Sequence, residues 1–201
     1  MFQIIVLGTI LFGALAAGGA FVAATRSVET PAYSVVQIDS DVELRSYPEM
    51  TLAQVTRTGT RRTSVQSGFS PLARYIFAKD RVGEKIAMTA PVVQKPMDDK
   101  WTVSFILPSN VSAEDAPKPS GDIRLVTEPA RLMATIRFSG VWSDRRFNEA
   151  TNRLRRWIES NDFSINGQFE YGYYNDPFTP AFLRRNEVLV PVKGRGEGTG
   201  H

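Results

Sequence analysis

The order of predicted secondary-structure elements repeats along this chain of 201 residues. Segments that predict strands lead into an amphipathic segment that predicts a helix, and two more predicted strands follow. This order occurs twice, with the two helices about 80 residues apart. Because neither copy could bury its sheet alone, we expect one pseudo-symmetric α+β domain of two similar halves. The predicted strands are 32–39, 41–48, 50–59, 84–94 and 100–107, then 122–129, 131–140, 168–175 and 184–192.

The second predicted helix, residues 143–161, has the clearer pattern. Ser143 suits the N-cap, and Asp144 suits the positive end of the helix dipole. The residues of its apolar stripe are Phe147, Ala150, Leu154, Trp157 and Ile158.

The first predicted helix is less regular. Its apolar positions at helical spacing are Val65, Phe69, Leu72, Tyr75 and Ile76. Pro71 would interrupt a helix interior, although Ser70 and Pro71 also suit an N-cap and a first helical position. The sequence therefore predicts either a helix over 63–78 with an irregularity near Gly68 or a helix that begins at Ser70. Residues 108–121 are rich in Pro and Ser and predict a long exposed loop.

Composition excludes several kinds of reactive site. The chain has no Cys, and its one His is His201, the last residue. Disulfides, thiolate nucleophiles and His-dependent triads or zinc sites within the domain are therefore excluded. The formal net charge is only +3, which argues against nucleic-acid binding. Because few residues suit acid–base chemistry, we expect the protein not to be an enzyme.

The N-terminal segment, residues 1–24, carries no charged side chain. As a helix it would be about 36 Å long, enough for a bilayer core. The residues VAA before Thr25 suit a signal-peptide cleavage site, whereas the long apolar run favours an uncleaved membrane anchor. Either alternative predicts a periplasmic or membrane-anchored protein. Residues 25–31 predict a short linker, and the Gly-rich residues 194–201 predict a disordered tail.

The stretch VGEKIAMTAPVVQKP, residues 82–96, predicts a strand without a reactive side chain. Alternation places Ile86, Met88, Ala90 and Val92 on one face and Ala87, Thr89, Pro91 and Val93 on the other. Because Pro91 has no N–H, it is expected at an edge or a bulge. A bulge beside the first helix would leave a shallow apolar opening that suits a flat ligand. Alternatively, the small residues allow the helix to pack closely.

Three motifs occur in the order GFSPLARYIF, EKIAMTAPVV and DPFTPAFLRRNEVLVPV, and DVELRSYP precedes them. Together they resemble the SOUL haem-binding protein family over residues 31–193. The resemblance implies a distorted antiparallel β-barrel of two similar halves with two flanking helices, similar to the effector-binding domains of multidrug-responsive regulators. It also implies that a domain of residues 32–193 binds haem or a related tetrapyrrole non-covalently, as a carrier, buffer or sensor.

The resemblance further implies an apolar binding surface beside the first helix. Because this domain has no His, a bound haem would be held by apolar contact or through Tyr75 or Met88, although both residues also suit a core. The apolar candidates are Phe69, Leu72 and Phe77. A basic rim for the haem propionates is expected from Arg61, Arg62, Arg74, Arg81 and Lys85, although any one of them could instead be a solvated surface charge.

Glu187 on the last predicted strand has two interpretations. In the related effector-binding domains an acidic residue in the cleft meets cationic ligands, which implies an alternative function as a small-molecule effector or protein-interaction module with no tetrapyrrole. Otherwise, Glu187 pairs with Arg184 or Arg185.

Overall fold

The computed structural model describes residues 28–194. The predicted signal or anchor segment 1–24 lies outside the described residues, as does the predicted tail after Gly194. Within residues 28–194, no helix is both long enough and apolar enough to cross a membrane. The helices are α1 (Arg61–Ile76) and α2 (Asp144–Ser160), with a 3-10 turn at Ala181–Leu183. The strands are β1 (Ser34–Asp39), β2 (Val42–Tyr47), β3 (Met50–Thr58), β4 (Val92–Met97), β5 (Lys100–Ile106), β6 (Arg124–Glu128), β7 (Arg131–Phe138), β8 (Phe163–Ile165), β9 (Glu170–Tyr173) and β10 (Asn186–Gly194).

The strands form one antiparallel sheet whose order reflects the repeat in the sequence. The order is β1-β2-β7-β10-β9-β4-β5-β3-β6, and β8 pairs with β10 off this path. The order from β2 to β6 is symmetric. The strands β2, β3, β4 and β5 of the first half correspond to β6, β7, β9 and β10 of the second half, and swapping each strand with its counterpart gives the same order read backwards. The first strand of each half pairs with a strand of the other half: β2 of the first half pairs with β7, and β6 of the second half pairs with β3. The predicted α+β fold with two similar halves is therefore confirmed.

The sheet is open, so the expectation of a barrel is corrected in this respect. Within the described residues, the edge strands β1 and β6 each pair with one neighbour and not with each other. Strand β1 is exposed along its length, and its ladder with β2 is interrupted between Val35 and Gln37. An irregularity of this kind at an edge bends the strand and ends further pairing.

Both helices pack on one face of the sheet and share one hydrophobic core. Helix α1 contacts β3 and β5, whereas α2 contacts β7, β8 and β10. Helix α2 begins as predicted, because the Ser143 hydroxyl accepts a hydrogen bond from the Arg146 N–H. Its buried residues are Phe147, Ala150, Leu154 and Ile158, as its apolar stripe predicts. Trp157 is half-buried and stacks on Phe163.

Helix α1 is continuous and begins earlier than predicted. The Thr60 hydroxyl caps it by accepting a hydrogen bond from the Thr63 N–H at 3.2 Å. Pro71 lies inside the helix and cannot donate to the carbonyl four residues earlier, at Ser67. The Arg57 side chain donates to that carbonyl instead, at 3.4 Å. The helix therefore passes Pro71, and neither the irregularity near Gly68 nor a start at Ser70 occurs.

The predicted strand 84–94 is largely wrong. Residues 84–91 form an irregular connection, apart from a bridge between Thr89 and Glu29, and β4 begins only after Pro91. The connection is held by contacts outside the main ladder, because the Ile86 N–H donates to the Ile76 carbonyl and the Thr89 hydroxyl donates to the Ile106 carbonyl. The predicted loop 108–121 contains no helix or strand, but it is not wholly exposed, since Ala116 is buried.

Candidate functional site

Helix α1 carries a row of apolar side chains at the edge of its buried face. We call this row the α1 stripe; it consists of Val65, Phe69, Ala73 and Phe77. Residues four positions apart lie on the same flank of a helix, and this row is about 18 Å long. Val65 and Ala73 are half-buried, whereas Phe69 remains 43% exposed and Phe77 40% exposed. The stripe is therefore a nonpolar strip that the rest of the domain leaves partly open to water.

The helix is held close to the sheet beneath this stripe. A β-carbon built on Gly68 would lie 2.7 Å from the Val103 side chain, so a larger residue cannot be accommodated without movement. Leu72 and Tyr75 are buried beneath the helix, which corrects the expectation that they line the surface beside Phe69 and Phe77. Among the described residues, the predicted shallow opening between α1 and the sheet is therefore absent. The exposed apolar area lies on the flank of the helix instead.

The Tyr75 hydroxyl is already engaged. It donates to the Pro117 carbonyl at 2.7 Å, and burial raises the pKa of Tyr75. Both effects oppose formation of the phenolate that would bind iron. Met88, the other proposed ligand, is half-buried and packs against the main core. Within residues 28–194, no group of three or more His, Cys, Asp and Glu side chains is placed to hold a metal ion.

The arginine that follows α1 has a structural position. The Arg81 side chain donates to the Tyr75 carbonyl at 2.9 Å and to the Glu84 carbonyl at 2.8 Å, and its cation lies 5.1 Å from the centre of the Tyr75 ring. Arg81 therefore fixes the turn after the helix. This turn exposes Val82 to water over 95% of its surface, directly beyond the Phe77 end of the stripe.

Besides Arg81, whose side chain is bonded to backbone carbonyls, three cations near the stripe have no ion-pair partner in the described part of the chain: Arg62, Lys79 and Lys85. All three are exposed. Arg74 differs, because it pairs with Asp80 and the pairing lowers the pKa of that carboxyl group. The cations available to an acidic ligand are thus at the two ends of the stripe. Lys79 was missed in the sequence because it does not fall on the helical pattern.

Arg61 does not belong to this rim. It is buried between the helices, where its guanidinium pairs with Asp144 and lies 4.0 Å from the centre of the Phe147 ring. It also donates to the Tyr173 hydroxyl at 3.4 Å. Arg61 therefore connects α1 with α2 and with strand β9.

The buried hydroxyl of Tyr173 predicts a loss of stability at high pH. Burial raises the pKa of Tyr173 to about 12, although the nearby Arg61 charge opposes the rise. An unfolded chain releases this proton near pH 10, so the stabilisation is present below that pH and is lost as the pH rises through the folded value. At about pH 11 the loss from this residue is about 1.4 kcal/mol in the free energy of unfolding.

Urea unfolding at about pH 9 and about pH 11 measures this loss. Tyr173→Phe has no titrating group at this position, so its decrease between the two pH values should be smaller than that of the unaltered protein. If the free energy of unfolding decreases equally in the two proteins, the loss does not come from the Tyr173 hydroxyl.

The opposite face of the sheet forms a cleft that contains Glu187. The side chain is completely buried, and both of its oxygens accept hydrogen bonds from Arg45, at 2.9 and 3.0 Å. Arg185 donates to the same carboxylate at 2.7 Å, and so does the Tyr174 hydroxyl. Burial alone would raise the pKa of Glu187, but the two arginines outweigh it and the pKa is lowered. Of the two predicted partners, Arg185 pairs with Glu187 and Arg184 does not.

A second acid in the same cleft is neutralised in the same way. Glu170 is buried and accepts two hydrogen bonds from Arg131, at 2.6 and 3.0 Å. Between Glu170 and Tyr174 the cleft leaves a cavity of only about 20 Å³. The acids of this cleft therefore have cations from the chain itself, and little space remains beside them.

A wider groove of about 430 Å³ opens next to this cavity. Its lining contains three carboxylates, Glu29, Glu49 and Asp115, and no Arg or Lys. Apolar side chains, including Met50, Ile106 and Val111, form part of its walls. The groove is thus acidic, whereas the ends of the α1 stripe are basic.

A sequence comparison places this chain in a known family. The family described as "SOUL heme-binding protein" matches residues 28–191. The chain belongs to the SOUL haem-binding protein family. No curated protein matches it.

Solved structures with a similar fold include a domain of the protein EcmrR. The crystal structure of the EcmrR C-terminal domain aligns with a TM-score of 0.63 and 16% identity, over 81% of this chain and 98% of that chain. EcmrR in a cryo-EM complex with DNA aligns with a TM-score of 0.60 and 16% identity, over 90% of this chain and 65% of that one. A hydrolase encoded by lin2189 from Listeria innocua aligns with a TM-score of 0.53 and 14% identity, over 79% of this chain and 94% of that one. At these identities the likeness shows the fold alone.

Proposed function

We propose that this SOUL family protein binds a tetrapyrrole non-covalently along the α1 stripe, as a carrier, buffer or sensor. The observation that supports the proposal is a partly open apolar strip with unpaired cations near both ends, in a member of a haem-binding family. One face of the macrocycle would lie against Phe69 and Phe77. Lys79 and Lys85 would meet the carboxylates at its edge. The proposed function is binding, with no chemical step.

The apolar contact is large enough to hold such a ligand. Removing roughly 300 Å² of apolar surface from water contributes roughly 7 kcal/mol at about 25 cal/mol per Å². Before the cost of association is subtracted, that free energy sets an upper limit on the affinity, a dissociation constant of about 10 μM. Binding of this strength requires no bond to iron.

The residues present fit the macrocycle of haem but supply no evident ligand to its iron. The stripe is nonpolar and its neighbouring lysines are free to pair with propionates, whereas the Tyr75 hydroxyl is buried and bonded to Pro117. We therefore assign the protein's contribution to the organic part of the ligand. A bound haem would bring the redox chemistry of its iron, and a metal-free porphyrin would bind by the same contacts.

Titration of the full chain with haemin and with metal-free protoporphyrin tests the proposal. The two affinities should be similar, as measured by the Soret band and by porphyrin fluorescence quenching. Phe69→Ser combined with Phe77→Ser should weaken both about tenfold or more, because most of the exposed apolar contact is removed. Phe182→Ser, which alters an exposed phenylalanine elsewhere, should leave both unchanged. The proposal would be contradicted if neither haemin nor metal-free protoporphyrin binds.

A second candidate function is supported by the acidic groove. Its three carboxylates and apolar walls suit an amphipathic cation, in keeping with the alternative of a small-molecule effector module. Glu187 is less suited to this role because two arginines already surround it. Glu49→Gln should weaken the binding of such a cation in the groove. If a cation binds equally well to the unaltered protein and to Glu49→Gln, this candidate is excluded.

A further inference from the structure

An exposed apolar patch lies at one end of the sheet, away from the contacts described so far. It is formed by Val141, Phe178, Phe182 and Leu183, which we call the loop patch. Phe178 is 88% exposed and Phe182 is 77% exposed, and the other two residues are about half exposed. The Gly140 N–H donates to the Ala181 carbonyl at 2.9 Å, which joins the two segments of the patch. Large apolar side chains that cluster in water often mark a contact surface.

The loop that carries these phenylalanines, residues 175–185, is extensively hydrogen-bonded. The Asp176 carboxylate accepts from the Phe178 N–H at 2.7 Å and from the Thr179 N–H at 2.9 Å. Arg184 donates to the Thr179 and Pro177 carbonyls, each at 2.8 Å. Thr179 is buried beneath the loop. The backbone is thus fixed in a form that directs the two phenyl rings away from the domain.

The charges around the loop patch are mainly positive. Arg146, whose guanidinium lies beside Gly140, and Arg184, which follows Leu183, form no ion pair with a carboxylate in residues 28–194. These two cations outnumber the one carboxylate of the loop, Asp176, which accepts the hydrogen bonds that shape it and keeps its negative charge. An apolar patch beside uncompensated arginines complements a surface that is negatively charged at its boundary and apolar within.

The position of the patch relates it to the N-terminal sequence. Val92 pairs with Tyr173, so residues before Val92 and residues after Tyr173 extend from the same end of the sheet. At this end Glu29 bridges Thr89, next to the first described residue, at position 28. The preceding sequence, residues 1–24, has no charged side chain. The loop patch and the described N-terminus therefore lie at the same end of the domain. The uncharged segment precedes that N-terminus in the sequence.

We propose that the loop patch contacts an anionic lipid bilayer, with Phe178 and Phe182 in the headgroup region and the arginines at the lipid phosphates. The proposal is independent of tetrapyrrole binding. It assigns an orientation to the domain: the loop patch lies against the membrane, and the acidic groove beside the described N-terminus, which Glu29 lines, stays outside the contact. The turn between β4 and β5, at the other end of the sheet, faces away.

The absence of cysteine allows a direct test. Leu183→Cys in the full chain is labelled with an environment-sensitive fluorophore, which leaves both phenylalanines in place. Asp99→Cys, in the turn between β4 and β5, is the matched control. With vesicles of phosphatidylglycerol and phosphatidylcholine that contain a quencher on the acyl chains, the label at position 183 should shift to shorter wavelength and lose about half of its emission. The label at position 99 should do neither.

Two further comparisons make the result decisive. Phe178→Ser with Phe182→Ser should abolish the shift at position 183, and vesicles of phosphatidylcholine alone should reduce it. A label at position 183 that stays in water while the chain is bound to vesicles would overturn the proposal, because residues 1–24 would then account for binding alone. Energy transfer between labelled copies, without lipid quenching, would assign the patch to a second copy of the chain and would also overturn it. Far-ultraviolet circular dichroism checks that the variants are folded.

Discussion

Replacing Glu187 by Gln is expected to lower the free energy of unfolding by about 3–5 kcal/mol. The carboxylate is completely buried and accepts hydrogen bonds from Arg45, Arg185 and Tyr174. Gln has nearly the same shape but no charge. The substitution leaves the buried Arg45 cation with too little compensation, because its remaining carboxylate partner, Glu43, is 30% exposed.

Urea unfolding, followed by tryptophan fluorescence and circular dichroism, measures the change. Glu149→Gln is the matched control, because Glu149 forms an exposed pair with Arg145 on α2 and should change stability by less than about 0.5 kcal/mol. Arg45→Met combined with Glu187→Leu should recover much of the loss, since neither member of the buried Arg45–Glu187 pair then remains charged and the other cation, Arg185, is 25% exposed. A Glu187→Gln loss no larger than that of the control would mean that the pair is not stabilising.

Replacing Phe147 by Ala is expected to cost about 3–5 kcal/mol in the free energy of unfolding. The ring is completely buried and lies within 5.4 Å of the Tyr171 and Tyr173 ring centres. It also supports the Arg61 guanidinium that connects the two helices. The substitution leaves a cavity and removes the apolar surface on which that cation rests.

The same chemical change at Phe178 is the control, because that ring lies mainly in water. Phe178→Ala should change the free energy of unfolding by less than about 0.5 kcal/mol. Thermal and urea unfolding of the two variants give the comparison. A loss of less than about 1 kcal/mol for Phe147→Ala would contradict the placement of this ring at the centre of the core.

Local signals in the sequence predict some elements well and others poorly. Helix α2 was predicted because its N-cap and its apolar stripe agree. Residues 84–91 were assigned to a strand because their side chains alternate, but hydrogen bonds from Ile86 and Thr89 to other segments decide their conformation. Pro71 suggested a break in α1, yet Arg57, fourteen residues earlier along the chain than Pro71, satisfies the carbonyl that the proline leaves free. Contacts of this kind are not visible in a local pattern.

The candidate site, too, is only partly predictable from local sequence patterns. Helical spacing brings Phe69, Leu72 and Tyr75 together as apolar residues, but it does not separate a buried face from an exposed flank. The pairing of Glu187 with Arg45 spans 142 residues and depends on the exchange of β2 between the halves. Local pattern likewise places Arg61 in an exposed rim, because its partner on α2, Asp144, is 83 residues away in the sequence. The lack of an internal His, by contrast, follows from composition alone.

The position of bound porphyrin on the folded chain tests the central claim most directly. Backbone amide shifts in the full chain, recorded with and without metal-free protoporphyrin, give this position. We expect the largest changes along the α1 stripe, from Val65 to Phe77, and in the turn that follows it at residues 79–85. Changes confined to the cleft around Glu187 or to the groove around Glu49, with none on α1, would contradict the account.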